Sequence, residues 1–268
     1  MNSKLPPFDV PKFELLLKLS GTTLGRPCHY AAVTGSTNDD LMALAKQGAP
    51  HGSLCIADFQ SHGRGRHGNS WSSPRAAENL LFSVLLRPNF ELATASSFTL
   101  AVGLAVRDAV APHLSTGVGI KWTNDLYAKG RKLAGILVES QLRGNELSAL
   151  VVGIGLNVHM TDFPDEIASI ATSLQLLGSR LLDREQLLTD VLGALQKRTI
   201  EYEVSNISGI VEELRKHDAV NGQRVRVGQK VGIARGLDND GALLLELETT
   251  NAIERQTTGL VEILSPAK

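Results

Sequence analysis

Apolar and polar positions alternate in short blocks along most of the chain, and the blocks predict strands more often than helices. Residues 29–33, 54–59 and 80–86 each read as a strand, the last almost wholly apolar. Between the first two, Ser36-Thr37-Asn38-Asp39-Asp40 offers several helix N-caps; Leu41, Leu44 and Ala45 form a helical stripe, and Gly48 ends it. Residues 95–110 read as a buried helix, with Leu100, Leu104 and Val110 among its apolar positions. Short sheet segments follow at 118–122, 126–128, 132–139 and 147–157, around turns at Lys129-Gly130-Arg131 and Arg143-Gly144-Asn145. Neighbouring strands joined by short turns predict a mixed or antiparallel sheet, not a regular βαβ array. Asp183 caps a helix reaching to about residue 202, and a second helix spans 208–216. The texture then changes. Asn221-Gly222, Gly228, Asp238-Asn239-Asp240-Gly241 and Gly259 punctuate β segments at 223–227, 231–237, 242–248, 253–257 and 260–264, which predict a small barrel. The expectation is an α+β chain in two domains, 1–218 and 219–268, with residues 1–26 an irregular leader carrying one apolar patch at 13–19.

Composition narrows the function. A net charge of −1 on 268 residues gives no basic footprint for nonspecific nucleic-acid binding. No apolar run reaches the roughly 18 residues of a membrane span; the longest, 98–106, stops at Arg107. The N-terminus lacks the layout of a signal peptide. Two cysteines, Cys28 and Cys55, make no disulfide framework and have no metal-ligand spacing, so they read as small core residues of a reducing compartment. The expectation is a soluble cytoplasmic protein.

Four stretches carry candidate chemistry. In Gly63-Arg64-Gly65-Arg66-His67-Gly68-Asn69-Ser70-Trp71, glycines let backbone N–H groups approach a ligand, and arginines supply a permanent charge with forked donors for carboxylate or phosphate. The match to G-x-G-x-x-G is weak, because Pro74 prevents the helix a dinucleotide fingerprint needs, and no Walker lysine follows. Lys121-Trp122-Thr123-Asn124-Asp125 places five functional side chains at a strand end, although Asn124-Asp125 alone reads better as a turn. In Lys132-Leu133-Ala134-Gly135-Ile136-Leu137-Val138-Glu139 a glycine sits inside a strand, which marks either a bulge or the close approach of a ligand or backbone. Gly153-Ile154-Gly155-Leu156-Asn157 repeats that feature, ending in an amide able to read an adenine edge or simply to form a turn.

In order and combination these stretches, together with Ser36-Thr37-Asn38 and Gln60, resemble the biotin protein ligases over roughly residues 28–264. The departures are Thr123, where the family usually has proline, and His67 and Asn69, where it often has arginine. The resemblance implies a class II synthetase/biotin-lipoate ligase-like mixed or antiparallel sheet with flanking helices, plus a small C-terminal SH3-like β-barrel. It implies the monofunctional type, since the chain has no room for the N-terminal DNA-binding domain of the family's repressors. ATP and biotin are the implied substrates, with Mg²⁺ expected but no metal ligands assigned. The implied partner is a biotin carboxyl carrier domain; no nucleic acid or membrane is expected, and a homodimer is left open. By position, Ser36, Thr37, Asn38 and Gln60 match the set that reads biotin's ureido ring, while Arg64, Gly65 and Arg66 match the loop folded over biotin and its adenylate. Lys132 matches the lysine beside biotin's carboxylate, and Lys121 one near the reacting phosphate. Asp125 is expected to orient a lysine or the attacking amine, or to help hold Mg²⁺; Asn124, Asn157 and Trp71 match the adenine side. The expected catalytic set is Lys121, Asp125, Lys132 and Arg66. A lipoate or octanoate ligase and a non-catalytic biotin- or nucleotide-binding regulator are the alternatives.

Overall fold

The computed structural model describes residues 5–179 and 182–264, so the outermost residues of both expected domains lie outside the described residues. Seven strands build the larger sheet: β1 (Cys28–Thr34), β2 (Leu54–Gln60), β3 (Asn79–Leu86), β4 (Val118–Lys121), β5 (Asp125–Ala128), β6 (Arg131–Arg143) and β7 (Glu146–Asn157). They lie in the order β1-β2-β3-β7-β6-β5-β4. β1 pairs in parallel with β2 and the other pairs are antiparallel, so the sheet is mixed. The long hairpin of β6 and β7 turns at Gly144, whose φ of 63° only glycine adopts at little cost.

The helices are α1 (Val10–Ser20), α2 (Thr37–Lys46), α3 (Ala95–Val110), the single turn α4 (Asp165–Ala168), α5 (Arg184–Ser205) and α6 (Val211–Lys216). β3 is buried along its whole length, because the sheet is covered on both faces at its centre. Leu41 and Ala45 of α2 pack on Cys55, Leu85, Ala149 and Val151. Leu54, Phe82, Val84, Val152 and Ile154 join the large core that includes α1, α3 and α5.

The leader expectation is corrected. Residues 10–20 form α1, with Asp9 accepting from Lys12 N at the N-cap and Gly21 closing the helix at φ 73°. Phe13 and Leu17, four apart, bury its inner face. The segment before it docks through Arg184, which donates to Asp58 Oδ1 at 2.8 Å and to the Pro6 carbonyl at 2.9 Å. The second late helix is shorter than 208–216: a 3₁₀ turn at Asn206–Gly209 precedes α6.

The small sheet contains β8 (Arg224–Val227), β9 (Lys230–Leu237), β10 (Leu243–Leu247), β11 (Ile253–Gln256) and β12 (Val261–Ile263), ordered β11-β10-β9-β8-β12. It joins the larger sheet along a seam. Ile120 N donates to His217 O at 2.7 Å, and Ala219 N donates back to Ile120 O at 3.0 Å. Trp122 Nε1 donates to Gly241 O at 3.0 Å, so this tryptophan is a buried strut between the two sheets.

Candidate functional site

A cavity opens on the α2 face of the large sheet. Ser36, Thr37, Asn38, Gln60, Arg64, Gly65, Arg66, Trp71, Asn124, Asp125 and Lys132 all line it, together with Leu260 from beyond β11. One cross-strand row explains how residues so distant in sequence meet: Lys121 pairs with Asp125, Asp125 with Gly135, Gly135 with Gly155, and Gly155 with Leu81.

The strand glycines make room for side chains. A Cβ on Gly153 would lie 2.0 Å from Asn38 Oδ1, and one on Gly155 would lie 2.4 Å from the Trp71 ring. On Gly135 it would come within 2.8 Å of the same ring. The bare backbone of β6 and β7 is therefore the bed of an indole, and Asn38 enters only because position 153 has no side chain.

The floor is a chain of hydrogen bonds. Thr37 donates from its N and Oγ1 to Gln60 Oε1 at 2.8 and 3.0 Å. Thr37 Oγ1 lies 2.8 Å from Ser83 Oγ, and Ser83 donates to Asn38 Oδ1 at 2.5 Å. Asn38 Nδ2 donates to Glu139 Oε2 at 2.8 Å.

The loop above is a narrow hairpin. Arg64 bridges Ser70, Gly65 N donates to Asn69 O at 2.7 Å, and His67 occupies the left-handed region at φ 55°. Arg64 reaches down to Glu139 at 2.5 Å and to Asp39 at 2.8 Å. Arg66 donates to Thr123 and, at 3.1 Å, to Asn124 Oδ1. Asn124 Nδ2 in turn donates to Ile136 O at 3.1 Å, tying the strand-end turn to β6. The Trp122–Thr123 peptide is cis.

The charged wall is Lys132 and Asp125. Lys132 Nζ lies 2.8 Å from Asp125 Oδ1 and 5.5 Å from the Trp71 ring centre. The approach misses hydrogen-bond geometry, so the buried Oδ1 has a counter-charge but an unspent lone pair. The Lys132 backbone is clasped by residues 170–172: its N donates to Ile170 O at 2.7 Å, and its O accepts from Thr172 N at 2.9 Å.

Two expected residues stand off the cavity wall. Lys121 is buried; its ammonium lies 4.9 Å over the Tyr127 ring and donates to the Tyr127 hydroxyl at 3.2 Å. Burial lowers its pKa, opposed by the nearby Asp125. Burial likewise pushes Tyr127 up to about 12. Asn157 donates to Thr172 O at 2.9 Å, so it holds the segment that clasps Lys132. Three contributors had little or no signal in the sequence. Ser83 is a lone hydroxyl in an apolar strand, Glu139 ends a motif without a stated role, and Leu260 arrives from the small sheet. Among the described residues, no group of three or more His, Cys, Asp or Glu is placed to hold a metal ion.

Comparison with known proteins gives one consistent result. Residues 30–157 match the Biotin/lipoate A/B protein ligase family, and residues 220–259 match the Biotin protein ligase C terminal domain. The chain is 38% identical over 252 residues to the biotin--[acetyl-CoA-carboxylase] ligase of Mycobacterium tuberculosis, covering 90% of this chain and 91% of that protein. It is 31% identical over 263 residues to the bifunctional ligase/repressor BirA of Bacillus subtilis, covering 96% of this chain and 80% of that one. Among solved structures, the biotin protein ligase from Aquifex aeolicus in complex with biotin and ATP superimposes with a TM-score of 0.76 at 27% identity, covering 90% of this chain and 100% of that one.

Proposed function

This chain belongs to the biotin protein ligases, and from that membership and the cavity's geometry we propose how its residues divide the reaction. The enzyme activates biotin with ATP and transfers it to a lysine of a biotin carboxyl carrier protein. In the first step an oxygen of biotin's carboxylate attacks the α-phosphorus. The bond to the bridging oxygen breaks, releasing pyrophosphate and leaving biotinyl-5′-AMP. In the second, the carrier lysine's ε-amine attacks the acyl carbon, the amide forms and AMP leaves.

Both steps gather negative charge on oxygens, which fixed cations stabilise without reorganising. Lys132 faces the biotin carboxylate and then the adenylate, held in place by Asp125 and by the 170–172 clasp. Arg64 and Arg66 bring the loop down on the bound intermediate. Ser36, Thr37, Asn38 and Gln60 present the polar floor to the ureido ring, and paired hydrogen bonds of that kind reject a chain lacking them. Trp71 and Asn124 flank the nucleotide. Lys121 and Asn157 act from behind the wall, one through charge and one by holding the clasp. Mg²⁺ fits this wall: a single carboxylate with an unspent lone pair suits an ion that keeps most ligands on phosphate and water. When bound, it screens the triphosphate. The same proposal divides the domains between residues 218 and 219. It places the enzyme in the cytoplasm, in keeping with free thiols at Cys28 and Cys55, and allows a homodimer built on the large sheet.

The observation that carries this reading is that one cavity joins the neutral polar floor, the Lys132–Asp125 pair and the glycine–arginine loop. Pyrophosphate release tests it. Release should depend on biotin and carrier labelling should follow; equal turnover with lipoate or octanoate would favour the lipoyl alternative.

A further inference from the structure

Glu139 stands where floor and loop meet. One of its oxygens, Oε2, accepts from Asn38 below and from Arg64 above. Asn38 cannot turn its amide away, because Gly153 lies directly beneath it and Ser83 donates to its Oδ1. Arg64's other partner, Asp39, has a side chain 60% exposed, so solvent screens that pair more than it screens Glu139, at 28%.

The protons of the floor give the arrangement a direction. Three oxygen–oxygen contacts (Thr37–Gln60, Thr37–Ser83 and Ser83–Asn38) share two hydroxyl protons, so one contact always lacks a hydrogen. A ligand N–H donating to Gln60 Oε1 releases the Thr37 proton to Ser83. The Thr37–Ser83 and Ser83–Asn38 contacts then both carry a hydrogen, the Thr37–Gln60 hydroxyl contact is the one left without, and the two aligned bonds hold the Asn38 amide more firmly against Glu139.

We propose that Glu139 is a positioning residue that couples occupancy of the cavity floor to the placement of the glycine–arginine loop through Arg64. The inference rests on reading the cavity as the biotin site, and the experiment separates the two. Tryptic cleavage at Arg64 and Arg66 is followed with and without biotin alone, beside biotin calorimetry. In the parent protein, saturating biotin should slow loop cleavage at least about fivefold, as expected for ligand-suppressed local opening. Glu139→Gln should bind biotin within about tenfold of the parent, roughly 1.4 kcal/mol, yet lose that protection. Glu139→Asp, which keeps the charge, should recover part of it. Ser83→Ala, which breaks the relay away from both loop and carboxylate, should weaken biotin binding as a change in the floor must. At biotin concentrations that calorimetry shows to saturate the variant, it should still leave the loop unprotected, and it decides the matter if the Glu139 variants do not fold. Full protection in Glu139→Gln or Ser83→Ala, or a parent that binds biotin with no protection, overturns the coupling. A parent that binds no biotin overturns the site reading instead.

Discussion

The floor and the loop of one cavity are held by unlike forces. Thr37, Asn38 and Ser83 are almost fully buried, and their neutral groups satisfy one another between strands. Arg64 and Arg66 are partly exposed charges, held by ion pairs and contacts at the surface. Leaving a buried polar group without its partner costs about 1–3 kcal/mol, whereas an exposed ion pair is worth about 0–1 kcal/mol. The floor is thus held rigidly, as the biotin site proposed above requires for selecting a ring by shape and hydrogen bonding. The loop is the more weakly held of the two, and in the proposed reaction it is the part that opens between steps while the floor stays in place.

The largest expected effect breaks the floor. Gly153→Ala would set a methyl on Asn38, which is fastened to Ser83 and Glu139 and has no room to yield. Biotin affinity measured by calorimetry should fall at least about a hundredfold, roughly 2.7 kcal/mol; parent-like binding would mean that Asn38 is free to move. Next is the charged wall. Lys132→Ala should weaken biotin binding by at least about tenfold, because one partner of a close charge pair is lost. Lys121→Ala should slow turnover with less change in affinity, since it lies behind the wall. The reverse order would exchange the two roles.

A smaller effect is expected from pH. Burial favours the neutral amine of Lys121, so its folded pKa lies below its unfolded one. The folded state then binds fewer protons between those two values, and stability rises with pH across that window. Activity that needs the charge should fall on the alkaline side before a free lysine would titrate; Lys121→Arg should move that limb to higher pH. The smallest effect concerns the loop itself. Arg66→Ala should change the unfolding free energy by less than about 1 kcal/mol. It should still let activated biotin escape to bystander lysines, and labelling confined to the carrier would argue that Arg66 does not retain the intermediate.

Periodicity made most of the scaffold legible. The helix at 95–110 and the hairpin turning at Gly144 follow directly from apolar spacing and turn chemistry. The first helix is equally marked, by Asp9, Phe13, Leu17 and Gly21, but its small apolar face reads in sequence as a patch in a leader. At the site, the glycines at 135 and 155 read in sequence as a bulge or tight strand packing on one side and as the close approach of a neighbour on the other. What approaches is Trp71, far away in sequence, and spacing within a strand cannot name that neighbour. Ser83 was hidden for the same reason: a hydroxyl in an apolar strand becomes informative only once Thr37 and Asn38 lie against it.

The pairing of Ile120 with residues 217–219, and the bond from Trp122 to Gly241, carry a practical consequence. The segment between the sheets is a stitched selvedge, not a hinge. Cutting the chain there would leave β4 with an open edge and the tryptophan with an unanswered N–H, just before the strand that carries Asp125. A fragment ending near residue 216 should therefore be prone to self-association as well as poor in activity, and adding the missing fifty-odd residues back as a separate chain should restore solubility before it restores turnover.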